Sequence, residues 1–284
     1  MQTQLDDYCG DLMYFAPTGP MPLKILCVES SLYLPRLRQN LPSAELFAMT
    51  RYEEVCASPP YDSLAVEWTI GDYRREPLPG GEGQYDLILA ETCFECVWEP
   101  YETLMRLSRA LKDTGVLLGS FLNVRCYRVL EELRRGRFPY REQRLYAKDE
   151  AVKMLNDAIF KEIIFAPFGH LPTSEDKAKA AAWRECGFDD FNDELATAAY
   201  MFRAARSKAE VAALKEMYDA ETRRLLARLL RRLEYDIDGE QNFCALRKLC
   251  QEKMIFAEYL TDFIAQTTTH KDRLRDLPER IFGA

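Results

Sequence analysis

The segment "YDLILAETCFECVWEPYETLMRLSRALKDTGVLLGSFL", Tyr85 to Leu122, decides the fold class. "YDLILAE" is a continuous apolar run, the pattern of a central parallel strand covered on both faces. "EPYETLMRLSRALKDTG" reads as an amphipathic helix, with Pro100 in its first turn and Leu104, Leu107 and Leu111 at helical spacing. Gly115 stands at its expected stop, and "VLLGSFL" then reads as the next strand. Strand, helix and strand in that order call for a right-handed crossover and a parallel sheet.

The alternation continues on both sides. Upstream, "LKILCV", "AELFAMT" and "AVEWTIGD" read as strands, separated by the short helices "YLPRLRQNL" and "YEEVCAS". A "PLPGGEG" turn then leads into the central segment. Downstream come the helices "RCYRVLEELRRG" and "AKDEAVKMLNDAIF", the strand "KEIIFAPF" and the helix "SEDKAKAAAWRECGF". A last strand, "ATAAYMFRAAR", is expected at the edge as part of an antiparallel pair. The expectation is an α/β fold with a seven-stranded, mostly parallel sheet over residues 22–206, preceded by a lead-in at 1–21.

The texture changes at Ser207, where "SKAE" has the form of a capping box. Val211, Leu214, Tyr218, Leu225, Leu229 and Leu233 predict one apolar stripe, backed by Arg223, Arg224, Arg228, Arg231 and Arg232. Shorter helical patterns follow, so 207–284 is expected to be an all-helical subdomain. The shorter helices after Asp238 are expected to cover part of the stripe in a small bundle, and residual apolar surface predicts a homodimer or a protein partner.

Composition narrows the classes. With 48% hydrophobic and 12% aromatic residues, a sizeable core is expected. A net charge of −8 argues against general nucleic-acid binding. No apolar run reaches the ~18–20 residues that span a bilayer. The first residues, "MQTQLDDYCGDLMYF", have neither the basic start nor the apolar run of a signal peptide. Nine scattered cysteines then predict free thiols in a reducing cytoplasm. Cys93 and Cys96 form a lone C-x-x-C, half of a zinc site, and with only His170 and His270 present no metal site is expected.

Residues 22–206 resemble the class I S-adenosylmethionine-dependent methyltransferases, and in particular the bacterial domains that accompany glycosyltransferases and sugar-modifying enzymes. The likeness rests on Tyr85-Asp86, Pro100-Tyr101, Leu111-Lys112 with Gly115, and Ser120 with Asn123-Val124-Arg125, followed by "VLEELRRGRFPY". It implies a Rossmann-like sheet and S-adenosylmethionine as cofactor.

The cofactor motif departs from the family's pattern. Where the family has an acid and then G-x-G after its first strand, this chain has Cys27, with Glu29 and Ser31 at the glycine positions. The acid that closes the second strand is Thr50, with Glu53 and Glu54 beyond it, and the family's E-H-L is Glu95-Cys96-Val97. Gly71-Asp72 is similar to the adenine-contacting element. The resemblance implies a cofactor cleft of Glu29, Ser30, Ser31, Thr50, Asp72, Tyr73, Glu91 and Thr92. It implies an acceptor face, for a glycan or small molecule, of Asn123, Arg125, Tyr127 and Arg137. No catalytic residue is nominated. Two functions stand open: a methyltransferase with lost or altered cofactor binding, or a catalytically silent module for binding or assembly through the helical tail.

Overall fold

The computed structural model describes residues 10–91, 95–97, 99–138, 140, 143–207, 214 and 217–283. The chain divides into two compact units, Met1–Ser207 and Lys208–Ala284.

The first unit is Rossmann-like. Its strands are β1 (Lys24–Val28), β2 (Glu45–Thr50), β3 (Val66–Ile70), β4 (Tyr85–Ala90), β5 (Leu111–Leu122), β6 (Glu162–Pro167) and β7 (Ala199–Ala205). The helices of eight or more residues are α3 (Pro100–Ala110), α4 (Tyr127–Arg134), α5 (Lys148–Asp157) and α6 (Ser174–Glu185), with α1 (Leu34–Asn40) and α2 (Glu53–Cys56) shorter. The seven-stranded sheet runs β3-β2-β1-β4-β5-β7-β6. Neighbours from β3 to β5 are parallel, and β7 is antiparallel to both β5 and β6. Period-two alternation sorts β1 onto two cores. Leu26 and Val28 join Leu104 and Leu107 of α3, while Ile25 and Cys27 join Leu34 and Leu37 of α1.

Three expectations are corrected within this unit. First, β7 is internal and β6 takes the edge. The side chains of β6 are half-buried or exposed, whereas those of β7 are buried almost throughout, as a strand covered on both faces requires. Second, α3 ends at Ala110 and Leu111 already belongs to β5, paired with Tyr85. Gly115 is therefore no helix stop. It lies where the register shifts between Tyr85 and Leu87, and a Cβ there would stand 2.9 Å from the Tyr85 carbonyl oxygen. Third, the lead-in is part of the unit: Leu12 and Met13, capped by Asp11, are buried in the core on the α1 side. The Tyr85-Asp86 and Leu111-Lys112 motifs also gain a physical reason. Lys112 Nζ donates to Asp86 at 2.7 Å, and Asp86 accepts the Lys24 amide at 2.8 Å, tying β1, β4 and β5 together at their amino ends.

The second unit is helical: α7 (Ala220–Glu234), α8 (Gly239–Glu252), α9 (Ala257–Thr267) and α10 (Leu277–Phe282). Asp219 caps α7 by accepting the Thr222 amide at 2.8 Å. Of the expected stripe, Leu214 and Leu229 are buried in one core, with Tyr218 and Leu233 packed against it. Leu226, Leu229 and Leu230 face the core, while Leu225 is 39% exposed. Val211 and most of the "SKAE" box lie outside the described residues. Ser207 itself donates to the Asp113 carbonyl at 2.8 Å and belongs with the first unit. Among the described residues, no helix is long and apolar enough to cross a membrane.

Candidate functional site

The strand order reverses between β1 and β4, and in doubly wound sheets ligands bind beyond the carboxyl ends of the strands at such a point. The turn after β1 enters this crevice through Glu29, whose φ of 51° lies in the left-handed region that favours glycine. A side chain there costs roughly 1–2 kcal/mol of backbone strain. The carboxylate offsets that cost. Oε1 accepts the Arg51 amide at 3.1 Å and Arg51 Nε at 2.8 Å, and Oε2 accepts the Thr50 hydroxyl at 3.1 Å. The turn keeps the glycine conformation and uses the added side chain to bind the end of β2. A carboxylate thus reaches the place where the family's second acid is replaced by Thr50, but it arrives already paired.

Ser30 closes the crevice from the other side. Its buried hydroxyl donates to the Val28 carbonyl at 2.8 Å and accepts the Glu91 amide at 3.0 Å, joining the turns after β1 and β4. The Glu91 carbonyl accepts the Ser120 amide at 3.1 Å. Its side chain is hydrogen-bonded to the Tyr33 hydroxyl; burial, then the Glu91 carboxylate, push this phenol far above its ordinary range. Ser31 is half-buried, 3.4 Å from the Tyr61 hydroxyl. Asp72, after β3, is held bidentately by Arg74, with Nε to Oδ1 and Nη2 to Oδ2 both at 2.8 Å. These bonds lower its pKa to about 2. Tyr73 is a core residue, 3% exposed. Thr92, and with it Cys93, lies outside the described residues. Among the described residues, no cluster of three or more His, Cys, Asp or Glu is placed to hold a metal ion.

The acids of the crevice are engaged within the chain. Glu29 brings a Cβ and a carboxylate into the turn that closely approaches the cofactor in the family's pattern. Glu29, Asp72 and Glu91 each hold an internal partner.

The residues expected at the acceptor face each hold a partner within the chain. Asn123 is fully buried; Nδ2 donates to the Glu194 and Thr197 carbonyls at 2.9 Å each, and Oδ1 accepts the Arg125 amide at 3.0 Å. Arg125 pairs with Glu194 at 3.4 Å. The Tyr127 hydroxyl donates to buried Asp176 at 2.9 Å, beside Arg128 at 2.8 Å. Arg137 forms an exposed pair with Glu132 at 3.0 Å. None of the four lines the cavity described next.

That cavity, of about 1040 Å3, lies between the turn after β3, Glu95 to Val97, the first turns of α3, and Phe138, Tyr140 and Gln143 to Leu145. Arg74, Arg75 and Arg106 line it together with Val97, Phe138 and Tyr140. Glu95 also lines it; burial pushes this carboxyl up to about 7. The Arg144 amide donates to the Glu95 carbonyl at 3.0 Å, joining these two parts of the lining. Sequence reasoning nominated none of these residues. Glu95 and Val97 carried a signal through the family's E-H-L element, and Phe138 and Tyr140 through "VLEELRRGRFPY".

Among solved structures, the chain is similar to an S-adenosylmethionine-dependent methyltransferase of Mesorhizobium loti at 15% identity, covering 69% of this chain and 95% of that one, with a TM-score of 0.47. A Thermotoga maritima protein, described as an S-adenosylmethionine-dependent methyltransferase, matches at 16% identity over 72% and 88% of the two chains, TM-score 0.46. A Bacillus halodurans protein described as a methyltransferase matches at 15% identity over 69% and 97%, TM-score 0.47. No family profile and no curated protein matches the chain.

Proposed function

We propose that this chain is a methyltransferase-fold binding module that has relinquished S-adenosylmethionine, its cofactor crevice being filled by its own ion pairs. The motifs from Tyr85 to Tyr140 and the sheet with its antiparallel β7 support the methyltransferase ancestry. One observation carries the loss of the cofactor: Glu29 stands in the left-handed turn after β1 with its carboxylate held by Thr50 and Arg51. A ribose hydroxyl seeking a carboxylate there meets one that already accepts three hydrogen bonds from its own chain. Asp72 repeats the arrangement with Arg74. Methyl transfer depends on alignment of a bound donor with its acceptor, so a chain without the donor keeps only the acceptor side of that arrangement.

Thermal unfolding of the full chain with S-adenosylmethionine tests the reading. At about 1 mM ligand, a retained site with Kd about 10 µM adds about 2.7 kcal/mol. For a protein of this size class that raises Tm by about 5–10 °C. The expected result is an unchanged Tm; a rise of that size overturns the proposal.

A further inference from the structure

We infer that the cavity beside α3 binds a small organic anion with a flat apolar body, its acidic group held by Arg106 and Arg75 and its body laid against Phe138 and Tyr140. The volume, about 1040 Å3, is at the upper end of small-molecule sites. The charges decide the sign of the ligand. Arg74 and Arg144 are already paired, with Asp72 and Glu150. Arg106 and Arg75 form no ion pair among the described residues. Arg106 is half-buried, and its side chain donates only to backbone carbonyls, those of Arg74, Glu76 and Glu102. A guanidinium has five N–H donors, so Arg106 keeps donors for a ligand. A half-buried cation without a counter-charge is costly, and an anion in the cavity relieves that cost.

The lining carboxyls do not reverse this. Glu99 and Glu102 are exposed, so water screens them. Glu95 is 8% exposed, and the burial that raises its pKa to about 7 favours its protonated form, a donor rather than a charge. The apolar half of the site is equally specific. Phe138 is 45% exposed, its ring edge-on to Tyr140 at 6.1 Å, which leaves aromatic surface for a flat body. The inference stands apart from the cofactor reading, since neither Glu29, Asp72 nor Glu91 lines this cavity.

The test uses two fluorescent probes on the full chain: the anion 1-anilinonaphthalene-8-sulfonate, and N-phenyl-1-naphthylamine, its uncharged counterpart. The sulfonate is expected to bind at one site. Arg75→Gln, at an exposed residue whose side chain makes no hydrogen bond in the structure, is expected to weaken the sulfonate about tenfold through loss of a charge-assisted bond. The same substitution should leave the uncharged probe unchanged. Phe138→Ala is expected to weaken both probes, and Phe191→Ala, removing a 69%-exposed ring outside the cavity, to weaken neither. Absence of sulfonate binding at millimolar concentration overturns the inference. So does a sulfonate affinity that Arg75→Gln does not change, which would reduce the binding to apolar adhesion.

Discussion

Two regions of the α/β unit hold the same kinds of side chain and treat them in opposite ways. At the carboxyl ends of β1, β3 and β4, Glu29, Asp72 and Glu91 are each taken up by a neighbour, Arg51, Arg74 or Tyr33. In the cavity beside α3, Arg75 and Arg106 line an open volume and meet no carboxylate among the described residues. The difference teaches where binding capacity resides. A group satisfied within its own chain answers a ligand only by losing a contact, whereas an unsatisfied one gains a contact.

The largest expected effect asks which polar residues belong to neither region. Asn123→Ala removes three hydrogen bonds of a fully buried side chain, taking a donor from the Glu194 and Thr197 carbonyls and the acceptor from the Arg125 amide. A loss of about 2–4 kcal/mol in urea denaturation is expected. A change within about 0.5 kcal/mol would return Asn123 to the candidate ligand face.

Next is the pH response of the cavity. Burial raises the Glu95 pKa from 4.5 to about 7, so between those values the folded state holds a proton that the unfolded state has released. The stability this contributes is full below about pH 4.5 and is lost as pH rises to about 7, a change of up to about 3 kcal/mol. Denaturation at pH 5 and pH 7.5 should show the native chain losing stability of that order relative to Glu95→Gln as pH rises. A difference independent of pH would place Glu95 in water.

The third prediction separates the strain of the β1 turn from its ion pair. Glu29→Ala keeps the left-handed strain and loses the bonds to Thr50 and Arg51, for an expected loss of about 1–3 kcal/mol. Glu29→Gly loses the same bonds but relieves the strain, and should be more stable than the alanine variant by about 1 kcal/mol. Equal stabilities would remove the turn conformation from the account. The smallest expected effect is Arg75→Ala, within about 0.5 kcal/mol of the native stability by the same denaturation. A larger loss would mean that Arg75 is a structural residue.

The sheet was legible because buried parallel strands write themselves as apolar runs, and "KILCV" and "YDLILA" have no competing reading. Where the reading slipped, a pattern served two structures at once. Leu111 continues the helical spacing of Leu104 and Leu107 yet opens β5, because its pairing with Tyr85 outweighs one more helical turn. "ATAAYMFRAAR" is apolar on both faces, which marks an internal strand, but its antiparallel direction suggested an edge. Leu225 fitted the stripe by spacing, yet it is 39% exposed while Leu226 and Leu230 take the core positions beside Leu229. In the crevice, the replacement of glycine by Glu29 was visible in the chain. Its partner Arg51 was not, because 22 residues separate them and only the left-handed φ aims the carboxylate at β2. The cavity was least legible of all. Its walls come from separate turns and loops, and no periodicity links Arg75 to Phe138.

Calorimetric titration of the full chain with S-adenosylhomocysteine bears most directly on the claim that the chain satisfies its own cofactor acids. The account predicts no heat of binding up to millimolar ligand. One-to-one binding with micromolar Kd, about −8 kcal/mol, would contradict it, because the internal partners of Glu29 and Asp72 would then give way to the cofactor.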